Sequence, residues 1–256
     1  QVGNPNIHWS LQSRMSSPTI MYKKDTGQNL LRYKFKEHKF LVFDYETENL
    51  NLCCLNKPWE LGYIVVQNGE VIEKVNDRIL WKDLNVSEDA KRITKFDIEE
   101  YKKTAKDPEK VLSSFEKYLF DPEFTVVHYN GLNFDMYIHQ LFREKLGKPP
   151  NYSFLYRSLD VLSLCRAFRL EKQPPETREE FFFWQKQLAS YYSSPKLRSL
   201  RKKQMNGSTT LSSMAKELDV SVTGDAWHNG LYDVQVTWEI LKSLFWKLEI
   251  TSNHIK

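Results

Sequence analysis

Three extended segments constrain the fold of this 256-residue chain more than any other feature. Residues 39–46 read KFLVFDYE, an apolar run typical of a buried strand, and residues 59–81 contain two further apolar runs. Those two runs flank Asn68 and Gly69, and an Asn-Gly pair in that setting is the strongest short signal for a β-hairpin. The sequence therefore predicts three successive strands that pair antiparallel.

The rest of the chain alternates between strand and helix patterns. Apolar runs at 124–130 and 153–160 predict two more strands, each followed by a helical pattern, and strands joined through helices pair in parallel. The predicted fold class is α/β, with a mixed five-stranded sheet (three antiparallel and then two parallel strands) and helices on both faces. The predicted helices cover residues 87–94, 95–103, 107–120, 133–147, 161–168, 210–220 and 229–250.

Two segments stand outside this alternation. Residues 1–36, rich in Ser, Asn, Pro and Lys, predict a flexible or loosely packed arm before a domain at 37–256. Residues 171–207 predict an insertion of one or two helices. Its FFFW cluster at 181–184 is either core packing or a stacking surface for a single strand, and its basic run at 194–204 is either a solvated face or a phosphate contact.

Composition places the chain among ordinary globular proteins, with 41% hydrophobic and 27% charged residues. No apolar run approaches the about 18 residues that a membrane span requires, so no membrane partner is expected. Three cysteines provide neither a disulfide framework nor the spaced pairs of a zinc site, and the N-terminus lacks the zones of a secretory signal. We therefore expect an intracellular, cytoplasmic protein.

Carboxylates occur where the predicted elements disfavour them. Asp44 and Glu46 end the first buried strand, and because alternate residues of a strand share a face, the two would stand side by side and repel each other. Asp135 and Asp233 each follow an aromatic residue at a predicted helix start, where a first-turn acid favoured by the helix dipole is the alternative. Together the four predict a site for two divalent cations, Mg²⁺ or Mn²⁺, which prefer oxygen ligands.

His228 lies five positions before Asp233, in the loop predicted to enter the last helix. Its imidazole, with an ordinary pKa of about 6.5, is suited to act as general base toward an attacking water. An exposed loop histidine beside Trp227 is the alternative.

Three motifs resemble those of the DEDDh family of 3′→5′ exonucleases: FDYET at 43–47, HYNGLNFD at 128–135 and HNGLYD at 228–233. They follow the family's order, and the resemblance covers roughly residues 39–248. It implies a ribonuclease H-like fold and metal-dependent release of nucleoside 5′-monophosphates from a 3′ end. It also implies that Asp44, Glu46, Asp135 and Asp233 bind the metal ions and that His228 is the general base.

The resemblance also implies a substrate. Tyr45, Thr47 and Asn130 fall at positions expected to contact the terminal nucleotide. We expect a 3′→5′ exonuclease acting on a single-stranded 3′ end, with DNA favoured over RNA, and a polymerase or other replication protein remains open as a partner. Two alternatives stay open: an exoribonuclease or oligoribonuclease, and a non-catalytic nucleic-acid-binding module, which the complete set of carboxylates disfavours. The ENL segment after Thr47 departs from the family's pattern.

Overall fold

The computed structural model describes residues 29–220 and 229–256. Five strands form one mixed sheet: β1 (Lys39–Thr47), β2 (Pro58–Gln67), β3 (Glu70–Arg78), β4 (Phe124–His128) and β5 (Ser158–Asp160). Their order is β3-β2-β1-β4-β5. β1, β2 and β3 pair antiparallel, whereas β4 and β5 continue the sheet in parallel with β1. The predicted sheet of three antiparallel and two parallel strands is confirmed.

Ten α-helices lie within the described ranges. They are α1 (Leu31–Lys34), α2 (Glu88–Thr94), α3 (Ile98–Thr104), α4 (Pro108–Leu119), α5 (Asp135–Lys145), α6 (Val161–Arg169), α7 (Arg178–Ala189), α8 (Arg198–Met205), α9 (Leu211–Glu217) and α10 (Gly230–Lys247). In this part of the chain, no helix combines the length and the apolarity that crossing a membrane requires.

Alternation along β1 sends its side chains to two separate cores. Phe40 and Val42 pack with the apolar side chains of α6, α9 and α10 on one face. Leu41 and Phe43 pack with those of α4 and α5 on the other face. Because a strand alternates with a period of two, this one segment fixes which face every later residue of β1 must occupy. Helices therefore cover both faces of the sheet, as the sequence predicts.

The predicted turn chemistry is confirmed, but one predicted strand is too long. Asn68 and Gly69 turn the hairpin between β2 and β3 with φ values of 55° and 78°, the positive values that a type I′ turn requires. The strand predicted at 153–160 is limited to β5, because residues 155–157 form a single 3₁₀ turn. That turn lets the buried guanidinium of Arg157 donate to the carbonyls of Leu119 and Phe124.

Residues 171–207 fold as two helices, α7 and α8, joined by a short 3₁₀ turn at 195–197. The aromatic cluster of α7 is divided between core and surface. Phe181 and Phe182 are buried and Trp184 packs at the edge of the core, whereas Phe183 is 51% exposed. Before β1, the side chain of Leu31 is fully buried, and its backbone N–H donates to the carbonyl of Ile250.

Candidate active site

Asp44 and Glu46, at the end of β1, have their side chains on the face of the sheet against which α10 packs. The two carboxylates continue the alternation of Phe40 and Val42, whose side chains belong to the core beneath α10. β1 is hydrogen-bonded to β2 on one side and to β4 on the other. A central strand held on both edges gives the two carboxylates little freedom to move apart.

α10 brings Asp233 to the same place through a close contact between two glycines. A Cβ added to Gly62 of β2 would lie 2.4 Å from the carbonyl carbon of Gly230, so only glycine allows the first turn of α10 to rest on the strand. Gly62 is paired with Asp44 across the sheet. The Asn229 side chain caps the helix by accepting from the backbone N–H of Tyr232 at 3.2 Å. Asp233 lies in the first turn that this cap begins.

Asp44, Glu46 and Asp233 form a cluster whose ligand oxygens all lie within 4.8 Å of one another. Burial and the neighbouring carboxylates of Asp135, Glu46 and Asp233 raise the pKa of Asp44 well above its ordinary value. Burial and the charges of Glu60 and Asp233 do the same to the pKa of Glu46. A divalent cation relieves such repulsion, and a donor set made only of oxygens fits Mg²⁺ or Mn²⁺. The cluster is compatible with the predicted metal site.

Asp135 lies beside this cluster and is held by the backbone of β1. Its Oδ1 accepts from the N–H of Tyr45 at 3.0 Å, and the residue is 2% exposed. Burial raises its pKa to about 6, against the opposing effects of the Tyr45 N–H and the charge of His128. Asp135 is close enough to raise the pKa of Asp44, but its oxygens are not part of the compact group of three. The structure thus brings three of the four predicted carboxylates together and places the fourth next to them.

Glu60 is a fifth carboxylate at this site that the sequence did not reveal. It lies on β2 directly opposite Glu46, is 3% exposed, and accepts from the backbone N–H of Gly230 at 3.2 Å. Its second oxygen lies 3.6 Å from Nε of Arg78. Burial raises the pKa of Glu60, while the Gly230 N–H and the Arg78 charge oppose that rise. The only signal in the sequence is a single acid in the run PWELGYIVV, two residues before the glycine that α10 contacts.

The three residues predicted to contact the substrate lie in different environments. The side chain of Tyr45 lies on the opposite face of the sheet, 3% exposed, with its hydroxyl 2.9 Å from Nδ1 of His139. Thr47 is 3% exposed, and its hydroxyl donates to the carbonyl of Asn49 at 2.6 Å. Asn130 is partly buried and adopts a left-handed conformation, with φ of 65°, in the turn between β4 and α5.

The ENL segment after Thr47 forms a hydrogen-bonded loop. Glu48 points inward, 4% exposed, and accepts from the backbone N–H of Asn85 at 2.7 Å. The Asn56 side chain donates to the carbonyls of Asn49 and Asn51 at 2.9 and 2.8 Å. These contacts fix the loop that leaves the end of β1 where Asp44 and Glu46 lie. The predicted general base, His228, lies outside the described residues, immediately before the helix cap Asn229.

The sequence matches no protein-family model and no curated protein. The structure, however, is similar to solved structures of exonuclease I. A zinc-bound complex of E. coli exonuclease I with single-stranded DNA superposes with a TM-score of 0.60 at 17% identity, over 81% of this chain and 40% of that one. The complex of the E. coli enzyme with a dA16 oligonucleotide also gives 0.60 at 17% identity, over 82% and 41%. A further exonuclease I structure gives 0.61 at 18% identity, over 82% and 41%.

This chain has the fold of one part of exonuclease I. At 17 and 18% identity the likeness concerns the fold alone, and the chain spans about 40% of the length of those proteins. The ribonuclease H-like sheet expected from the motifs is therefore confirmed.

Proposed function

We propose that this chain is a DEDDh-type, metal-dependent 3′→5′ exonuclease that hydrolyses single-stranded nucleic acid, preferentially DNA, to nucleoside 5′-monophosphates. The observation that carries the proposal is the cluster of Asp44, Glu46 and Asp233, whose oxygens lie within 4.8 Å of one another at the end of a buried strand. Stability alone does not favour such a cluster, because its members repel each other. E. coli exonuclease I, which has the same fold, has been crystallised with single-stranded DNA, and this supports a single-stranded substrate.

In this proposal different residues of the chain have different roles. Asp44, Glu46 and Asp233 would hold divalent ions, with Asp135 alongside. Ions bound there would make a coordinated water more acidic and stabilise negative charge on the phosphodiester. The N–H of Tyr45 keeps Asp135 in place, and the contact between Gly62 and Gly230 keeps Asp233 over the strand. His228 would accept the proton that water loses as its oxygen attacks the phosphorus of the last phosphodiester. The bond from that phosphorus to the 3′ oxygen of the preceding nucleotide would break, and this oxygen would take up a proton from solvent.

Digestion of matched oligonucleotides tests the proposal. DNA and RNA labelled at the 5′ end, single- and double-stranded, are incubated with Mg²⁺, Mn²⁺ or EDTA. We expect a ladder that shortens from the 3′ end, faster for single-stranded DNA, and no hydrolysis in EDTA. Faster digestion of RNA would favour the exoribonuclease alternative.

Two variants of α10 complete this experiment. Asp233→Asn removes one charge of the cluster and should abolish hydrolysis, whereas Glu239→Gln, which breaks a partly exposed ion pair with Lys242, should not. Hydrolysis by Asp233→Asn at the wild-type rate, or full activity in EDTA, would show the proposal to be wrong.

A further inference from the structure

A cleft lies between the C-terminal end of α7 and the start of α8, within the segment 171–207. Its volume is about 410 Å³, which falls in the range of about 300–1,000 Å³ typical of clefts that hold small organic ligands. Two aromatic side chains, Trp184 and Tyr191, and two cations, Lys172 and Arg201, line it together with several serines. Aromatic faces beside cations match the chemistry of a nucleotide, which has a flat base and an anionic phosphate.

The positive charge around this cleft is not neutralised. Residues 181–216 contain no Asp or Glu, although lysines or arginines occupy positions 186, 196, 198, 201, 202, 203 and 216. Among the described residues, none of these cations forms an ion pair with an acid. Arg201 instead donates to the carbonyl of Tyr191 at 2.5 Å and lies 5.1 Å from the centre of its ring. Its guanidinium therefore keeps its full charge toward an anion.

The cleft is attached to the loop that leads to Asp135. The Asn133 side chain, two residues before Asp135, donates to the carbonyl of Ala189 at 2.8 Å. Ala189 lies between two residues that line the cleft, Leu188 and Ser190. On the other side, the buried Arg166 guanidinium donates to the carbonyls of Leu188 and Ala189 at 2.7 and 2.6 Å. The end of α7 is thus fixed at the same end of the sheet as the carboxylates.

We propose that this cleft binds one nucleotide of the single strand, on the 5′ side of the nucleotide being removed. The base lies against Trp184 and Tyr191, and its phosphate is bound by Lys172 and Arg201. This assignment rests on the proposed function, since it requires that a single strand has its 3′ end at Asp44 and Asp233. A strand held at both places stays bound after each terminal nucleotide leaves.

Equilibrium binding in EDTA tests the cleft without hydrolysis. Fluorescence anisotropy measures the affinity of dT15 labelled at the 5′ end. Lys172→Glu should weaken dT15 binding about tenfold, because the cleft loses one of its two cations and gains a negative charge. Arg201→Gln should lower the salt dependence of dT15 binding by about one phosphate contact. Lys110→Glu, the same change at an exposed lysine of α4, is the matched control and should have no specific effect.

A further variant, Trp184→Ala, tests the aromatic side of the cleft. Trp184→Ala should weaken dT15 binding about tenfold through lost stacking, with a melting curve to show that the variant folds. If Lys172→Glu and Trp184→Ala bind dT15 like the wild type, or no worse than Lys110→Glu does, the cleft proposal fails. Displacement of dT15 by a glutamate-rich peptide at the same affinity, with no effect of Trp184→Ala, would overturn it in favour of an acidic protein partner.

Hydrolysis is measured separately, so that the two proposals can fail independently. Normal hydrolysis with unchanged dT15 binding in the variants overturns the cleft alone. No hydrolysis with any ion, combined with binding that depends on Lys172 and Trp184, overturns the nuclease and leaves the cleft as a nucleic-acid site.

Discussion

The backbone N–H of Gly230 donates to Oε1 of Glu60 at 3.2 Å, and this bond joins the first turn of α10 to β2. Glu60 stands opposite Glu46 in the sheet, and Asp233 lies three residues beyond Gly230 on the helix. The bond therefore couples α10, which carries Asp233, to the strand paired with β1, which carries Asp44 and Glu46. The positive end of the α10 dipole faces the same acids and lowers the cost of gathering them.

Replacing Glu60 should separate the effect of its charge from that of its hydrogen bond. Glu60→Ala leaves the buried N–H of Gly230 without its acceptor, which costs about 1–3 kcal/mol, whereas Glu60→Gln keeps an acceptor oxygen. We expect Glu60→Ala to melt at a lower temperature and to need more Mg²⁺ for half-maximal hydrolysis than Glu60→Gln. Thermal melts and Mg²⁺ titrations measure both effects. If the two variants have the same melting temperature and the same Mg²⁺ requirement, this would contradict a positioning role for Glu60.

Gly62→Ala should displace α10. The added Cβ would lie 2.4 Å from the carbonyl carbon of Gly230 and 2.7 Å from the backbone nitrogen of Leu231, and backbone atoms cannot rotate away. We expect a loss of about 2 kcal/mol or more in the free energy of unfolding, together with weaker hydrolysis. Gly147→Ala is the control, because nothing lies within 4 Å of its Cβ and only its φ of +69° opposes the change. Urea denaturation measures the free energy of unfolding of both variants. Equal losses in the two variants would argue against the close contact at Gly62.

Asp44→Asn should have opposite effects on activity and stability. Removing a metal ligand should lower hydrolysis by about a thousandfold or more, by analogy with other single groups that stabilise a transition state. Removing one of several charges that repel each other should raise the melting temperature of the metal-free protein. Calorimetry in EDTA checks the second effect, with the exposed Asp89→Asn as control. A less stable Asp44→Asn would mean that the metal-free cluster is not under repulsion.

Patterns within one element were readable from the sequence. Alternation places Asp44 and Glu46 on one face, and Asn68 and Gly69 specify the hairpin. The physical cause of each lies within a few residues, so a short window of sequence carries it. The same alternation places the side chain of Tyr45 on the opposite face from these two carboxylates, and its contact with the terminal nucleotide stays a prediction.

Features that depend on distant contacts were not readable. The partner of Glu60 is 170 residues away in sequence, so nothing near Glu60 marks it as part of the site. The requirement for glycine at position 62 comes from the path of α10, which the local pattern of β2 does not contain. β5 is short because residues 155–157 form a 3₁₀ turn, from which the buried side chain of Arg157 donates to the carbonyls of Leu119 and Phe124. In each case the cause is packing between elements.

His228→Ala should reduce the rate of the chemical step. A general base contributes about 10²- to 10⁴-fold, so kcat should fall by this factor while KM and the Mg²⁺ requirement change little. The pH profile of the wild type should have a limb near the histidine pKa, and this limb should be absent from the profile of the variant. Steady-state kinetics between pH 5 and 9 provide both readouts. A variant that needs more Mg²⁺ but reaches the wild-type kcat would show that His228 acts on metal binding instead.

The stability of the metal-free protein should depend on pH through Asp135. Burial raises its pKa to about 6 in the folded chain, against about 3.9 when unfolded. As pH rises between these values, the unfolded chain loses a proton that the folded chain keeps, so the free energy of unfolding falls, by up to about 3 kcal/mol above pH 6.

Buried histidines with lowered pKa values, such as His139, act in the opposite direction below about pH 6.5, so the total curve does not isolate Asp135. The difference between the wild type and Asp135→Asn isolates the charge of Asp135 together with its effect on the pKa of Asp44, because the amide keeps an acceptor for the Tyr45 N–H and has no charge. Urea denaturation in EDTA at pH 4.5 and 7.5 should show that Asp135→Asn gains more stability over the wild type at pH 7.5 than at pH 4.5. Mg²⁺ should stabilise the wild type more at pH 7.5 than at pH 4.5, since it binds the ionised carboxylates. An equal difference between the two proteins at both pH values would mean that Asp135 ionises in the folded chain as easily as in the unfolded one.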